Sequence, residues 1–131
     1  AEKGKGAWRN GERISVSSVT ACENALVATG FPYEIASRVD EILERMRPVL
    51  SSCQGVRRCG AAALDLAWTA CGRFDAFYED ELKPWDMAAG ALLVTEAGGS
   101  ISNLDGSPFD LRWSILAGNK AMHELIGKMI R

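Results

Sequence analysis

Two acidic residues, Glu79 and Asp86, stand where a carboxylate could do chemistry. Asp86 follows Pro84 at the start of a predicted helix, where free amide groups and the helix dipole favour negative charge. Glu79 ends a short aromatic strand just before that helix. Two interpretations of Asp86 are open at this point: it caps the helix, or it projects into a cleft and binds a cation. Trp85 is expected to pack beside it.

A second candidate position is the start of an alanine-rich helix. Gly60, Ala61 and Ala62 lie at this start, and Gly72 ends the helix. Small residues there let a ligand or another backbone segment approach closely, and the free amides face whatever lies in front of them. Two interpretations of the acidic pair that follows Glu79, Asp80-Glu81, are open: it forms a solvated loop, or it tunes the choice of substrate.

Alternating strands and helices must position these residues. Short apolar runs that end at glycine or proline predict strands, and apolar spacings of three and four predict helices. The strands are predicted at 25–29, 54–59, 73–79, 100–104 and 113–117, and the helices at 34–50, 61–71, from 84 and from 120. Pro48 is expected to end or kink the first helix, and the charged face of that helix is expected to be solvated.

This alternation predicts an α/β fold in which helices flank a largely parallel sheet. An opening β-hairpin is predicted at Asn10-Gly11, because both residues tolerate the positive φ of a tight hairpin turn. In parallel sheets, the carboxyl ends of strands and the starts of the following helices line the ligand crevice. Residues 60–62 therefore share one cleft with Glu79 and Asp86 if the two strand–helix units are neighbours.

Composition excludes several classes of protein. The length of 131 residues corresponds to one domain, and the net charge of −2 offers no basic patch for nucleic acid. No apolar run is long enough to span a membrane. The cysteines form no Cys-x-x-Cys pair, which argues against structural zinc and favours reduced thiols in a cytoplasmic protein. They are Cys22, Cys53, Cys59 and Cys71.

Residues 85–99 resemble the second signature of the inositol monophosphatase family, with Trp-Asp-Met-Ala-Ala-Gly followed by Val-Thr-Glu-Ala-Gly-Gly. Residues 4–11, 57–65, 72–79 and 106–109 resemble further segments of that family in the same order. The resemblance covers residues 1–131 and implies the carboxyl-terminal part of a layered α/β/α/β/α sandwich. The Asp-Pro-(Ile/Leu)-Asp-Gly-Thr run of the front half is missing and the chain lacks an initiator methionine, so we expect a piece of a larger protein.

The resemblance implies a role for each candidate residue. Asp86 matches a late metal ligand that also lies near the substrate, and Glu79 matches an acidic residue that accepts hydrogen bonds from substrate hydroxyls. Gly60, Ala61 and Ala62 match a backbone segment that touches the alcohol part of the substrate. Some relatives have serine or threonine at Ala61, so a side-chain contact is lost there. The implied cofactor is Mg²⁺, and the catalytic residues are expected in the missing front half.

The implied function is part of a magnesium-dependent phosphatase acting on a small phosphate monoester such as myo-inositol monophosphate. One alternative is the same fold acting on fructose 1,6-bisphosphate, histidinol phosphate, a nucleotide 3′-phosphate or a dinucleotide phosphate. Another is a non-catalytic binding or assembly module. The implied partners are the front half of the fold, in the same or a separate chain, and a second copy in a homodimer. One carboxylate is a poor magnesium site, so the isolated chain is expected to show little activity.

Overall fold

A five-stranded sheet lies between two pairs of helices in the computed structural model, which describes residues 1–131. The strands are β1 (Trp8–Arg9), β2 (Glu12–Arg13), β3 (Leu26–Thr29), β4 (Gly55–Arg57), β5 (Ala76–Glu79), β6 (Ser100–Ser102) and β7 (Ile115–Gly118). The α-helices are α1 (Val39–Ser52), α2 (Ala62–Ala70), α3 (Pro84–Glu96) and α4 (Lys120–Ile130). Two short 3₁₀ turns cover Cys22–Asn24 and Ile35–Ser37.

The sheet has the strand order β4-β3-β5-β7-β6. Strand β3 pairs in parallel with both β4 and β5, whereas β7 pairs antiparallel with β5 and with β6. Four of the five strands therefore point in one direction, and β7 alone is reversed. This arrangement confirms the predicted α/β class with a largely parallel sheet flanked by helices.

Both faces of the sheet are covered, which gives three layers in this chain. Helices α2 and α3 pack on one face and α1 and α4 on the other. Strand β5 shows the alternation directly: Phe77 points into the first cluster, and Ala76 and Tyr78 point into the second. All three are buried, as expected for a strand with helices on both sides.

The predicted hairpin is confirmed, with Asn10 at φ 52° and Gly11 at φ 84° in the turn between β1 and β2. It is anchored to the end of α3 by Glu96, whose two carboxylate oxygens accept hydrogen bonds from the amides of Gly4 and Gly6, each at 2.8 Å. These bonds hold the pKa of Glu96 below its usual value. The Glu96 side chain thus joins the segment before the hairpin to the end of α3.

Pro48 does not end the first helix, because α1 continues through this residue to Ser52. A proline inside a helix removes one backbone hydrogen bond. The following residue, Val49, is fully buried in the second cluster, and Cys53 still donates its amide to the Val49 carbonyl at 2.9 Å. Burial of the last turn against the sheet outweighs the missing bond.

None of the helices combines the length and the apolar character that a bilayer crossing requires.

Candidate functional site

A cavity of about 470 Å³ opens at the carboxyl edge of the parallel strands β3, β4 and β5. Its volume is in the range of small-molecule sites. Five of the residues that line it are the site residues predicted from the sequence, namely Gly60, Ala61, Ala62, Glu79 and Asp86. The fold therefore brings the two predicted positions into one cleft. The roles of these residues stay predictions.

The two strand–helix units that carry these residues are consecutive in the chain but not adjacent in the sheet. Strand β3 lies between β4 and β5. The loop that follows β3 consequently lies at the cavity. Phe31 and Pro32 of this loop line it, and Gly30 lies beside Glu79. Sequence reasoning missed this loop, because a glycine and a proline after a strand indicate only that the strand ends.

Asp86 caps the helix and also lines the cavity, while cation binding by this residue stays a prediction. Pro84 opens α3, and one carboxylate oxygen of Asp86 accepts the Lys83 amide at 2.9 Å, which caps the helix. The other oxygen makes no hydrogen bond within the chain, and Asp86 lines the cavity. Trp85 does not become buried beside it, since this side chain is 78% exposed.

Glu79 is half-buried at the end of β5, and its carboxylate lies directly against Gly30. Burial raises the pKa of Glu79 to about 7. The nearby negative charge of Asp65 adds to this rise, and Arg58 opposes it. Near neutral pH this residue is therefore divided between a carboxylate, which only accepts hydrogen bonds, and a carboxylic acid, which also donates one.

The start of α2, where the first backbone amides have no partner within the helix, lies at the cavity. Gly60 has φ 82°, a value that side-chain-bearing residues rarely adopt, and Ala61 occupies the N-cap position without a side chain able to cap. Asp65, one turn into α2, is 1% exposed, and neither of its carboxylate oxygens has a hydrogen-bond partner of ordinary geometry. Burial raises the pKa of Asp65.

The charges that line the cavity are unevenly paired. Two cations, Arg58 and Lys83, face four carboxylates, those of Glu79, Asp80, Glu81 and Asp86. Asp80 forms salt bridges with Arg38, which precedes α1, and with Arg45 of α1, and Glu81 forms one with Arg38. Glu79 and Asp86 are therefore the two lining carboxylates that form no salt bridge. The prediction that the charged face of α1 is solvated was therefore wrong for these arginines.

The donor set fits a share of a magnesium site. Mg²⁺ prefers oxygen ligands and keeps water and substrate oxygens in its shell, so a carboxylate with one free oxygen suits it. Asp86 offers such an oxygen toward the cavity. No cluster of three or more His, Cys, Asp or Glu side chains in this chain is able to enclose a metal alone.

Comparison with known proteins places these features in context. The profile of the inositol monophosphatase family matches residues 1–131. Nus factor SuhB of Pseudomonas aeruginosa is 48% identical over 122 residues, which are 91% of this chain and 45% of that protein. Inositol-1-monophosphatase of Caulobacter vibrioides is 44% identical over 99% of this chain and 52% of that protein.

The structural comparison agrees with the sequence comparison. The crystal structure of the extragenic suppressor protein suhB from Bartonella henselae matches with a TM-score of 0.95 at 40% identity, over 100% of this chain and 50% of that one. This chain spans about half the length of the relatives it matches and corresponds to their carboxyl-terminal half. The chain belongs to the inositol monophosphatase family.

Proposed function

We propose that residues 1–131 form the carboxyl-terminal half of a magnesium-dependent phosphatase domain that hydrolyses a small phosphate monoester such as myo-inositol monophosphate. One observation carries the proposal: the two lining carboxylates that form no salt bridge, Glu79 and Asp86, share one cavity with the free amides at the start of α2. Relatives that carry the name inositol-1-monophosphatase support it.

In this proposal each residue has a distinct task. Asp86 would hold Mg²⁺ through its free oxygen, and the ion would polarise the phosphoryl oxygens when bound. Glu79 would accept hydrogen bonds from substrate hydroxyls. The backbone of Gly60, Ala61 and Ala62 would contact the alcohol part of the substrate, which can approach closely because these residues are small.

The proposed partner is the front half of the same fold. Helices α2 and α3 carry few charges on the side that faces away from the sheet, where Leu64 is 52% and Trp85 is 78% exposed. A helix that is apolar on all sides is normally buried, and exposed apolar patches of this kind mark contact surfaces. A further layer over α2 and α3 would bury this face and bring the missing metal ligands to the cavity.

Reconstitution tests the proposal. The chain is mixed with the front half of the Caulobacter vibrioides relative, complex formation is followed by native mass spectrometry, and phosphate release from myo-inositol monophosphate is measured with and without Mg²⁺. We expect turnover only in the mixture and only with Mg²⁺, while each half alone is nearly inactive. Robust magnesium-dependent turnover by this chain alone, or a stable complex without turnover, contradicts the proposal.

The substrate panel of the same experiment separates the alternatives. Preferred turnover of fructose 1,6-bisphosphate, histidinol phosphate, a nucleotide 3′-phosphate or a dinucleotide phosphate favours the same fold with another substrate. A complex that turns over no phosphate ester favours a non-catalytic binding or assembly module. Relatives named Nus factor SuhB support keeping this second alternative.

We further propose a homodimer and a cytoplasmic location for the complete protein. The dimer is carried over from the family resemblance, and light scattering of the reconstituted protein tests it through the measured mass. The location is supported by the four cysteines, all of which are free thiols. Fractionation of the source cells tests it directly.

A further inference from the structure

Two arginines of the α1 segment form a closed ring of ion pairs with two carboxylates. One oxygen of Asp80 accepts hydrogen bonds from Arg38 at 2.8 Å and from Arg45 at 3.0 Å. One oxygen of Glu41 accepts from the same two guanidinium groups, at 2.6 Å and 2.9 Å. Positive and negative groups thus alternate around the ring, and each carboxylate bridges both arginines.

Three of the four side chains in the ring are shielded from water, whereas Glu41 is 48% exposed. The Asp80 side chain is 8% exposed, and those of Arg38 and Arg45 are 22% and 20% exposed. Exposed ion pairs contribute little to stability, but removing one partner of a buried pair leaves an uncompensated charge. Removal of either arginine would therefore leave the shielded Asp80 carboxylate with less compensating positive charge.

Arg38 also holds an unusual turn next to Asp80. Its second terminal nitrogen donates to Glu81 at 2.7 Å, and Glu81 has φ 57°, in the left-handed region. A non-glycine residue in that region costs free energy, and such residues persist where the surrounding contacts enforce them. The next residue, Leu82, donates its amide to the Trp113 carbonyl at 3.0 Å, which fixes the far side of the turn.

This turn is the connection between the two candidate site carboxylates. Glu79 is the last residue of β5, and Asp86 lies in the first turn of α3. The left-handed residue redirects the chain between them, so that both side chains line the same cavity. Anything that releases Asp80 and Glu81 releases the segment that sets the distance between Glu79 and Asp86.

We propose that Arg38 and Arg45 are positioning residues for the site, because their ion pairs with Asp80 and Glu81 hold the turn that directs Glu79 and Asp86 into one cavity. The consequence for turnover rests on the proposed phosphatase function. The positioning itself is a property of this chain and is measured without substrate or metal.

Amide hydrogen exchange of the isolated chain measures the positioning. The variants are Arg38→Met and Arg45→Met, which keep the apolar stem of the side chain. The matched control is Arg47→Met, since Arg47 lies on α1 two residues after Arg45 but is exposed and forms no ion pair. We expect exchange at Leu82 and Lys83 to accelerate about 10-fold or more, the scale of losing charge-assisted hydrogen bonds, with β6 and β7 unchanged.

Glu81→Gly separates positioning from general stabilisation. Glycine adopts the left-handed conformation without strain. The conformation of residue 81 should then no longer depend on the contact with Arg38. We expect the Arg38→Met effect on Leu82 exchange to be clearly smaller in the Glu81→Gly background. Equal effects in both backgrounds, or unchanged exchange at Leu82 and Lys83 in both methionine variants, overturn the inference.

Turnover of the reconstituted protein then tests the consequence for function. Misplacement of a site by about 1 Å can cost about 100-fold in rate, so the double variant Arg38→Met/Arg45→Met should lose turnover while Arg47→Met keeps it. If the wild-type mixture shows no turnover, the phosphatase proposal fails while the exchange data still decide the positioning. Faster exchange in the double variant with full turnover overturns the positioning role.

Discussion

The carboxylate of Glu79 lies directly against the α-carbon of Gly30, at the ends of the paired strands β3 and β5. A β-carbon added to Gly30 would overlap the carboxyl group of Glu79. Gly30 does not have a positive φ, so residues with a side chain could adopt its backbone conformation. Glycine matters here because it leaves space for the Glu79 carboxylate. The position of Glu79 in the cavity thus depends on the absence of a side chain at Gly30, the residue that follows the neighbouring strand.

Gly30→Ala should therefore displace the Glu79 carboxylate toward solvent. Because burial is the main cause of the raised pKa of Glu79, we expect its titration midpoint to fall from about 7 toward the usual range for glutamate. Carboxyl ¹³C NMR across a pH series measures this midpoint. Gly55→Ala is the matched control, since an added β-carbon there meets only flexible side-chain atoms at 3.3 Å or more. An unchanged midpoint in Gly30→Ala would refute the steric account.

The buried Glu79 also gives the fold a defined pH dependence. Its pKa is raised on folding, so the native state binds more protons than the unfolded state between the two values. The stability contributed by protonated Glu79 is fully present below the unfolded pKa, about 4.3, and is lost as pH rises through about 7. We expect the melting temperature of the wild type to decline over this window by more than that of Glu79→Gln.

Parallel melting curves of both proteins at pH 5 and pH 8 supply the measurement. The neutral glutamine removes the titration but keeps the size of the side chain. The difference between the two declines should amount to a few degrees, because 1 kcal/mol shifts the melting temperature of a domain of this size by about 4 °C. Identical declines would mean that Glu79 titrates in the native state as it does in the unfolded chain.

Asp86→Asn tests the metal role while keeping the helix cap. The asparagine side chain can still accept the Lys83 amide, so the start of α3 should be preserved. In the reconstituted protein we expect magnesium-dependent turnover to drop at least about 100-fold, the scale of losing one electrostatic contact in a catalytic site. Asp40→Asn, a change at an exposed carboxylate of α1, should leave turnover unchanged. Retained turnover in Asp86→Asn would exclude the proposed metal ligand.

Gly90→Ala should destabilise the fold although it improves helix propensity. Gly90 lies inside α3 and packs so closely on Leu66 of α2 that an added β-carbon overlaps the leucine side chain. Helix propensity alone favours alanine by about 1 kcal/mol, whereas overpacking a core costs about 1–3 kcal/mol. Urea denaturation should show a lower free energy of unfolding for the variant. A higher value would mean that α2 and α3 can move apart without cost.

Local sequence determined much of this structure. Apolar spacing, glycines and prolines predicted the position of each strand of the sheet, and of each helix that flanks it, to within a few residues. These signals act through neighbours in the chain. The Asn10-Gly11 turn and the Pro84-Asp86 helix start are local in the same sense. The rule that ligands bind at the carboxyl ends of parallel strands then predicted that Glu79 and Asp86 line one cleft, and the family resemblance implied a role for each.

The contacts between these elements were decided only by the tertiary structure. The insertion of β3 between β4 and β5 brings Gly30 against Glu79, and strand order is not encoded in any short stretch of sequence. Long-range contacts likewise bring Arg38 to Asp80, 42 residues apart, and Glu96 to Gly6, 90 residues apart. In the sequence alone, a series of charged residues indicates a solvated surface, because charged side chains are usually hydrated. Only the packed fold supplies another partner.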